Sequence, residues 1–385
     1  METVKGFRDI KGEEAKLREK IIDVIIKNFK LYGFEPAETP IVEYEEFVKG
    51  NNSNDDVISD IFKLQDKGQR KLALRYEFTF QLKRLAQNKK LPYKRYQVGQ
   101  VFRDEPVSSN RFRQFTQCDV DVIGSTLKDE AELLSLAQKI LSELGIKSVI
   151  CVNSRKLLNE ILEKEGIGEK QTVIKELDKL DKLTKTEVKV NLKKYKAEKI
   201  LDIFAKDEKF FEKYSAYEEI KELKKYCSYF KTKVEFMPSL ARGLSYYNGT
   251  IFEIKTSDIK ETIAGGGSYL VNGIQSTGIS FGLDRLTKIT KLKLDEKRVL
   301  IISINQDKES VDLAEKLRED NVKTLIMYGK PSKALEYANN YNIPFVIFVG
   351  EEEIKKKKFK LRDMKTGKEE FLSSEGIIKK LKGLM

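Results

Sequence analysis

The sequence predicts an α+β chain: an antiparallel sheet flanked by helices, a helical insertion within it, and a smaller C-terminal α/β unit. Three observations carry this. The apolar run Tyr96–Phe102 and the segment Arg111–Ile123 both read as strands, separated by the turn-rich stretch Pro106-Val-Ser-Ser-Asn110, which makes them an antiparallel hairpin. From Asn153 to about Glu235 the composition shifts to lysine-rich helical text with repeated Glu/Lys pairs at helical spacing. Beyond the charged stretch KLKLDEK, short β-rich runs alternate with helical patterns, the signature of a small, mainly parallel α/β sheet. Composition and charge mark breaks at 153–235, at a linker 291–297 and at the last unit 298–385.

At 385 residues, with 40% apolar and 35% charged side chains, the chain can bury full hydrophobic cores and is not a disordered polyelectrolyte. Its 73 Lys+Arg against 61 Asp+Glu give a formal charge of +12. That balance suits a polyanionic partner, though a lysine-rich soluble surface has the same composition. Cys118, Cys151 and Cys227 are scattered and form no C-x-x-C pair, so neither a disulfide framework nor a protein metal site is indicated, and a reducing cytoplasm fits. The N-terminus lacks an apolar signal core, and no long uncharged apolar stretch predicts a membrane span. The chain contains no histidine, which excludes histidine triads, imidazole bases and histidine metal ligands.

In order, Gly12 to Tyr32 carries Leu17, Ile21, Ile22, Val24, Ile25 and Phe29 at helical spacing, and Gly33 ends the helix. Pro40 then opens a strand within GFEPAETPIVEYEEF, where proline restricts it to an edge. Ile61–Asp66 reads as a strand closed by a turn at Lys67-Gly68. In the segment Leu72–Thr79, apolar flanks surround Glu77, and a carboxylate so placed requires a partner. Glu77 and Thr79 also stand where they could cap a helix starting at Phe80. Leu127–Leu144 is an amphipathic helix and Ser148–Val152 a short strand. In the last unit, strands are expected at Arg298–Ile304, Val322–Met327 and Pro344–Val349. Helices are expected at Lys308–Glu319 and Ser332–Asn340, then a hairpin near Gly367 and a terminal helix from about Ser373.

The second strand of the hairpin is the most informative stretch. Arg111, Arg113, Phe115, Gln117, Asp119 and Asp121 occupy alternate positions and therefore share one face. Guanidinium forks, an aromatic ring, an amide and carboxylates in one row match a ligand that is anionic at one end, flat in the middle and cationic at the other. A solvent-facing strand with alternating ion pairs has the same spacing.

Arg103-x-Glu105 followed by Arg111 and Phe115 resembles motif 2 of the class II aminoacyl-tRNA synthetases, and Gln117 with Asp121 resembles their histidine-specific branch. The resemblance spans nearly the whole chain, and it implies that 1–152 and 236–290 form one sheet domain around the 153–235 insertion. VKGFRDI at Val4–Ile10 resembles the family's opening signature, and GFEPAETPIVEYEEF resembles motif 1, which implies a homodimer. Leu74-Arg-Tyr-Glu-Phe-Thr79 is similar to the segment whose acid receives the substrate's α-amino group. Ala241–Glu253 and Ala264–Tyr269 resemble the two histidine signatures, and Gly278–Leu286 resembles motif 3.

That resemblance implies a histidine–tRNA ligase using ATP, Mg²⁺, L-histidine and tRNA(His). It assigns Arg103 and Arg242 to the α-phosphate as catalytic cations, Glu105 to the adenine edge, Arg111 and Arg285 to the γ-phosphate region, and Phe115 to purine stacking. Glu77, Thr79, Gln117, Asp121, Arg242, Tyr246, Tyr247 and Tyr269 would form the histidine pocket. The glycines of Ala264–Tyr269 would let backbone approach the ligand. The lysine-rich insertion would lie against the acceptor stem and the last unit would bind the anticodon. Ser245 stands where the family commonly has aspartate, Ser268 where it has arginine, and the motif 2 loop lacks the usual long basic side chains. These departures leave a second reading open: an inactive, synthetase-like regulatory paralogue that binds histidine or tRNA.

Overall fold

Gly12–Leu31 forms helix α1, whose Ile21, Ile25 and Phe29 are fully buried as their spacing requires. Its end is a Schellman motif: Gly33 takes φ +78°, its N–H donates to Lys30 O, and the Phe34 N–H donates to Phe29 O. The rings of Phe29 and Phe34 lie 6.5 Å apart across this cap. The computed structural model describes residues 1–49, 59–108, 111–181, 183–241, 246–294 and 298–383. The chain divides into two compact units, Met1–Lys293 and Leu294–Met385.

In the first unit α1 is followed by β1 (Glu35–Pro36), β2 (Val42–Tyr44), α2 (Glu45–Lys49), β3 (Lys63–Gln65), β4 (Lys71–Leu74), α3 (Leu82–Leu85), β5 (Tyr93–Phe102) and β6 (Gln114–Ile123). Then come α4 (Leu127–Glu143), β7 (Val149–Ser154), α5 (Arg155–Lys164), α6 (Lys170–Asp178), α7 (Lys185–Lys193), α8 (Ile200–Ile203), α9 (Tyr217–Tyr229) and β8 (Val234–Phe236). The unit closes with β9 (Tyr247–Lys255), β10 (Ala264–Val271), β11 (Ile274–Gly282) and α10 (Leu283–Ile289). Its main sheet runs β1-β5-β6-β11-β10-β9-β7-β8 and is antiparallel except for the edge pairs β1–β5 and β7–β8. A small sheet of order β2-β4-β3 lies beside it in the sequence of elements.

One face of the main sheet is the core. Cys118, Val120 and Val122 of β6 cluster there with Ile21, Ile25 and Phe29 of α1, Leu134 and Leu141 of α4, and Leu286 of α10. The lysine-rich insertion joins this same core rather than forming one of its own: Leu158 and Ile161 of α5, Ile174 of α6 and Ile220 and Leu223 of α9 belong to the same cluster. Most of its lysines are exposed, Arg155 is buried, and its apolar stripes continue the core of the sheet.

Some edges differ from expectation. β5 begins at Tyr93, because Lys94 and Arg95 already pair with β6. The helix expected from Phe80 is only Leu82–Leu85, and its N-cap, Gln81, makes no side-chain cap bond, so Glu77 and Thr79 are not used as caps. The start of the expected linker is tied to the first unit: the Lys291 N–H donates to Leu144 O, and Lys20 Nζ donates to Lys293 O.

The second unit comprises β12 (Arg298–Ser303), α11 (Asp307–Glu319), β13 (Lys323–Tyr328), α12 (Pro331–Asn340), β14 (Phe345–Val349), α13 (Glu351–Lys356), β15 (Phe359–Asp363), β16 (Glu369–Leu372) and α14 (Ser374–Gly383). Its sheet order is β13-β12-β14-β15-β16. The pairs β13–β12 and β12–β14 are parallel, and the β15–β16 hairpin adds an antiparallel edge.

Candidate active site

Opposite the core, the main sheet turns a polar row inward. Phe115, Gln117, Asp119 and Asp121 alternate with Thr116, Cys118, Val120 and Val122, so the period of a strand separates chemistry from core. Register then brings partners alongside. Asp121 stands between Arg95 of β5 and Gly278 of β11, Asp119 between Gln97 and Ser280, and Gln117 between Gly99 and Gly282.

Burial sets the electrostatics of this row. Arg95 is fully buried, its Nη2 lies 2.8 Å from Asp121 Oδ2, and it also donates to Phe78 O. The Tyr269 hydroxyl donates to the other Asp121 oxygen. Desolvation raises the Asp121 carboxyl, and Arg95 and Tyr269 oppose that rise. Asp119 accepts from Ser280 Oγ; burial, with the Asp121 charge adding, pushes it up to about 7. Glu77 is likewise buried and raised to about 7, opposed by the Arg103 charge and the Tyr246 hydroxyl, which lies 3.4 Å from Glu77 Oε2. Glu77 Oε1 and Gln117 Oε1 are buried without a hydrogen-bond partner. Such atoms are costly unless a ligand or water satisfies them.

An aromatic wall closes the acidic end. The ring of Tyr246 is 4.7 Å from that of Tyr247 and 5.7 Å from that of Tyr269, and Phe80 approaches Tyr246 edge-on. Close approach to protein atoms explains the glycines here. A Cβ on Gly278 would lie 2.1 Å from Asp121 Oδ1 and 3.0 Å from the Tyr269 hydroxyl. A Cβ on Gly266 would lie 1.9 Å from the Gly278 carbonyl oxygen, so this glycine admits the neighbouring strand.

The other end of the row is cationic and flat. The Arg103 guanidinium lies 4.2 Å over the Tyr76 ring and 5.1 Å over Phe115, with its Nε buried and unpartnered. Arg111 lies 3.4 Å from Glu105, whereas Arg113 pairs with Asp104 at 3.1 Å. Arg285 donates to Thr262 O. Its neighbour Asp284 anchors the junction of β11 and α10, receiving Arg18 at 2.8 Å and the Thr116 N–H at 3.0 Å. Arg242 and Ser245 lie outside the described residues, as do Ser109 and Asn110 of the motif 2 loop.

The model of the histidyl-tRNA synthetase family matches residues 6–286, and that of an anticodon-binding domain matches residues 298–384. The chain belongs to the histidyl-tRNA synthetase family. A histidine–tRNA ligase of Bacillus cereus is 34% identical over 96% of this chain and 94% of its own length, and one of Wolinella succinogenes is 31% identical over 95% and 94%. Among solved structures, a histidyl-tRNA synthetase from Nostoc sp. superimposes with a TM-score of 0.86 at 24% identity, covering 100% of this chain and 99% of that one. A protein from Bacillus halodurans described as an ATP phosphoribosyltransferase regulatory subunit/histidyl-tRNA synthetase gives 0.74 at 21% identity over 87% of this chain and 96% of that one. At these identities the two superpositions show the fold alone.

Where this histidyl-tRNA synthetase family member carries Ser268, the hydroxyl is buried beside Thr250, 3.0 Å between the two oxygens, and Thr250 donates to the buried Glu130. Desolvation raises the Glu130 carboxyl to about 7, with those hydroxyls opposing it. Arg95 and Ser280 escape the sequence reading as site residues, and Asp119 enters it only as one of the row's carboxylates for a cationic group, with no role of its own from the resemblance. Arg95 sits in the basic stretch KKLPYKRY, just ahead of the strand expected from Tyr96. Only cross-strand register reveals its partner.

Proposed function

We propose that this chain activates L-histidine with ATP to histidyl-adenylate and transfers the histidyl group to the 3′ end of tRNA(His). The observation that carries this is the row running from the partly exposed Arg103–Phe115 platform through Gln117 to the buried Glu77 and Asp121, walled by Tyr246, Tyr247 and Tyr269. A cationic, flat end beside an acidic, aromatic end suits an α-phosphate and adenine joined to a zwitterionic amino acid.

In this reading Arg103 and Arg242 hold the α-phosphate as the histidine carboxylate displaces pyrophosphate. Glu105 and Phe115 receive the adenine, Arg111 receives the γ-phosphate, and Arg285 lies near the adenine and the γ-phosphate. Glu77, with Thr79, takes the α-ammonium, while Gln117, Asp121 and the tyrosines enclose the side chain. Positioning and charge neutralisation supply the catalysis, with no covalent enzyme intermediate. Mg²⁺ enters with ATP. Among the described residues no cluster of three or more acidic or thiol side chains forms a cage, so the nucleotide's phosphate oxygens would be its main donors, and the ion would offset their charge.

The homodimer expected from motif 1 is supported by apolar side chains exposed there: Ile41, Val42 and Tyr44, with Leu64 on the other edge strand of the same small sheet, across β4. The insertion is assigned to the acceptor stem and 298–385 to the anticodon, in keeping with the +12 charge. Among the described residues no helix is long and apolar enough to cross a membrane, and a cytoplasmic location accords with the reduced, buried cysteines.

Charging of a tRNA(His) transcript with labelled histidine, with Arg242→Ala alongside, tests the whole reading. Charging that is lost in the variant is expected. Histidine binding without charging or adenylate formation would favour the regulatory paralogue, to which Ser268 also points.

A further inference from the structure

The assignments above leave Asp119 and Ser280 without a task, although both face the amino-acid end of the row. Their hydrogen bonds have a fixed sense. An ionised carboxylate only accepts, so the Ser280 hydroxyl spends its one proton on Asp119 Oδ1. The Ser280 oxygen must then accept, and it does, from Gln117 Nε2 at 3.0 Å. The amide nitrogen of Gln117 is therefore held by the sheet. Its Oε1 is the atom left buried and unpartnered. A proton on Asp119 would reverse the chain: the carboxyl could donate to Ser280, Ser280 to the amide oxygen, and the amide NH₂ would become the free group.

We propose that Asp119, acting through Ser280, is a positioning residue that presents the Gln117 carbonyl oxygen as a hydrogen-bond acceptor for an N–H donor of the amino-acid substrate. This rests on the histidine-activating reading of the same site. It makes the polarity of Gln117 a property of a relay two side chains deep: a donor-bearing substrate is accepted, and one presenting an acceptor at that point meets another acceptor. Groups facing Asp119 are Arg95 and Gln97 from β5, Gln117 and Asp121 from β6, Ser280 from β11, and Glu77 from the segment after β4. Arg95 favours the ionised form, while burial, Asp121 and Glu77 oppose it. An arriving ammonium or N–H donor adds to the side of Arg95, so binding and the acceptor state of Gln117 reinforce each other.

The test is histidine-dependent exchange of labelled pyrophosphate into ATP, with kcat and both KM values measured from about pH 6 to about pH 8.5, a range chosen to cross the raised carboxylates. Wild type, Asp119→Asn, Ser280→Ala and the double variant are compared, with thermal melting as the folding control. Each single change is expected to raise the histidine KM by roughly tenfold, the scale of one oriented bond to a charged or strong donor. The ATP KM and kcat should stay within about threefold, and the double variant should be no worse than the weaker single, because all act through one amide. Wild-type histidine KM should fall as pH rises through about 7, and Asp119→Asn should flatten that fall. An unchanged histidine KM in Asp119→Asn, multiplying effects in the double variant, or a parallel loss of kcat and melting temperature without the pH change overturns the proposal. Failure of the folded, ATP-binding wild type to exchange with histidine overturns the functional reading and the proposal together.

Discussion

Strand β6 in the first unit and strand β12 in the second are both central, hydrogen-bonded on both sides and mostly buried, yet they use their two faces differently. In β12 the alternate residues Val299 and Ile301 enter one apolar cluster, and Leu300 and Ile302 enter another. Both faces are core. In β6 the face of Cys118, Val120 and Val122 is core, while that of Gln117, Asp119 and Asp121 buries charge and unpaired acceptors. Since buried polar groups destabilise unless satisfied, the second pattern persists where a ligand completes it. The first pattern is scaffolding, and whatever the second unit recognises must be met by its edges and loops.

The sharpest way to break this contrast is to remove one member of the buried ion pair. Asp121→Asn leaves Arg95 enclosed without a carboxylate, and we expect a loss of roughly 3–5 kcal/mol in stability by denaturant titration, with the histidine KM raised as well. A β12 substitution should separate the two effects: Ile301→Ala should cost about 2–4 kcal/mol through the cavity it leaves, without moving the histidine KM. Gly278→Ala reverses that outcome. Its Cβ would collide with Asp121 and the Tyr269 hydroxyl, so histidine-dependent exchange should fall by about 10²-fold, the penalty for misplacing a pocket by an ångström, while the ATP KM changes little.

A subtler prediction concerns pH. Burial raises Glu77 from its ordinary value of 4.5 to about 7, and Asp119 from 3.8 to about 7. Between those limits the folded state holds protons that the unfolded chain has released, so stability contributed by these groups is present at low pH and lost as pH rises toward about 7. Each should account for on the order of 1–3 kcal/mol, and Glu77→Gln should remove its share of the slope in melting experiments. Stabilisation by added histidine should be larger above that range than below it. At the small end, Lys355→Ala removes an exposed pair with Glu351 and should change stability by less than about 0.5 kcal/mol.

Much of this was legible in the sequence because period and turn chemistry are local. The alternation from Phe115 to Asp121 specified which side chains share a face, and Gly33 marked the end of α1 through the positive φ that its cap requires. The three strands and two helices that open the second unit lie within a residue of their expected bounds. What escaped depends on contacts across strands. Arg95 lies outside the strand expected from Tyr96, and its place shows only when β5 is laid against β6. Gly266 reads as a ligand cradle until β11 is seen beneath it. The insertion reads as a solvated subdomain because its charges dominate the text, whereas Leu158, Ile174 and Leu223 belong to the core of the sheet. The joint role of Asp119, Ser280 and Gln117 could not be read from residues far apart in the chain, because it consists in the direction of two hydrogen bonds.

The central claim is that the polar face of β6 is an amino-acid-activating surface. It is tested most directly by pyrophosphate exchange into ATP with each amino acid in turn, wild type beside Gly278→Ala. The account predicts exchange with histidine alone and its collapse in the variant. Absence of exchange by folded, ATP-binding protein, with tRNA present as well as without it, would contradict the account.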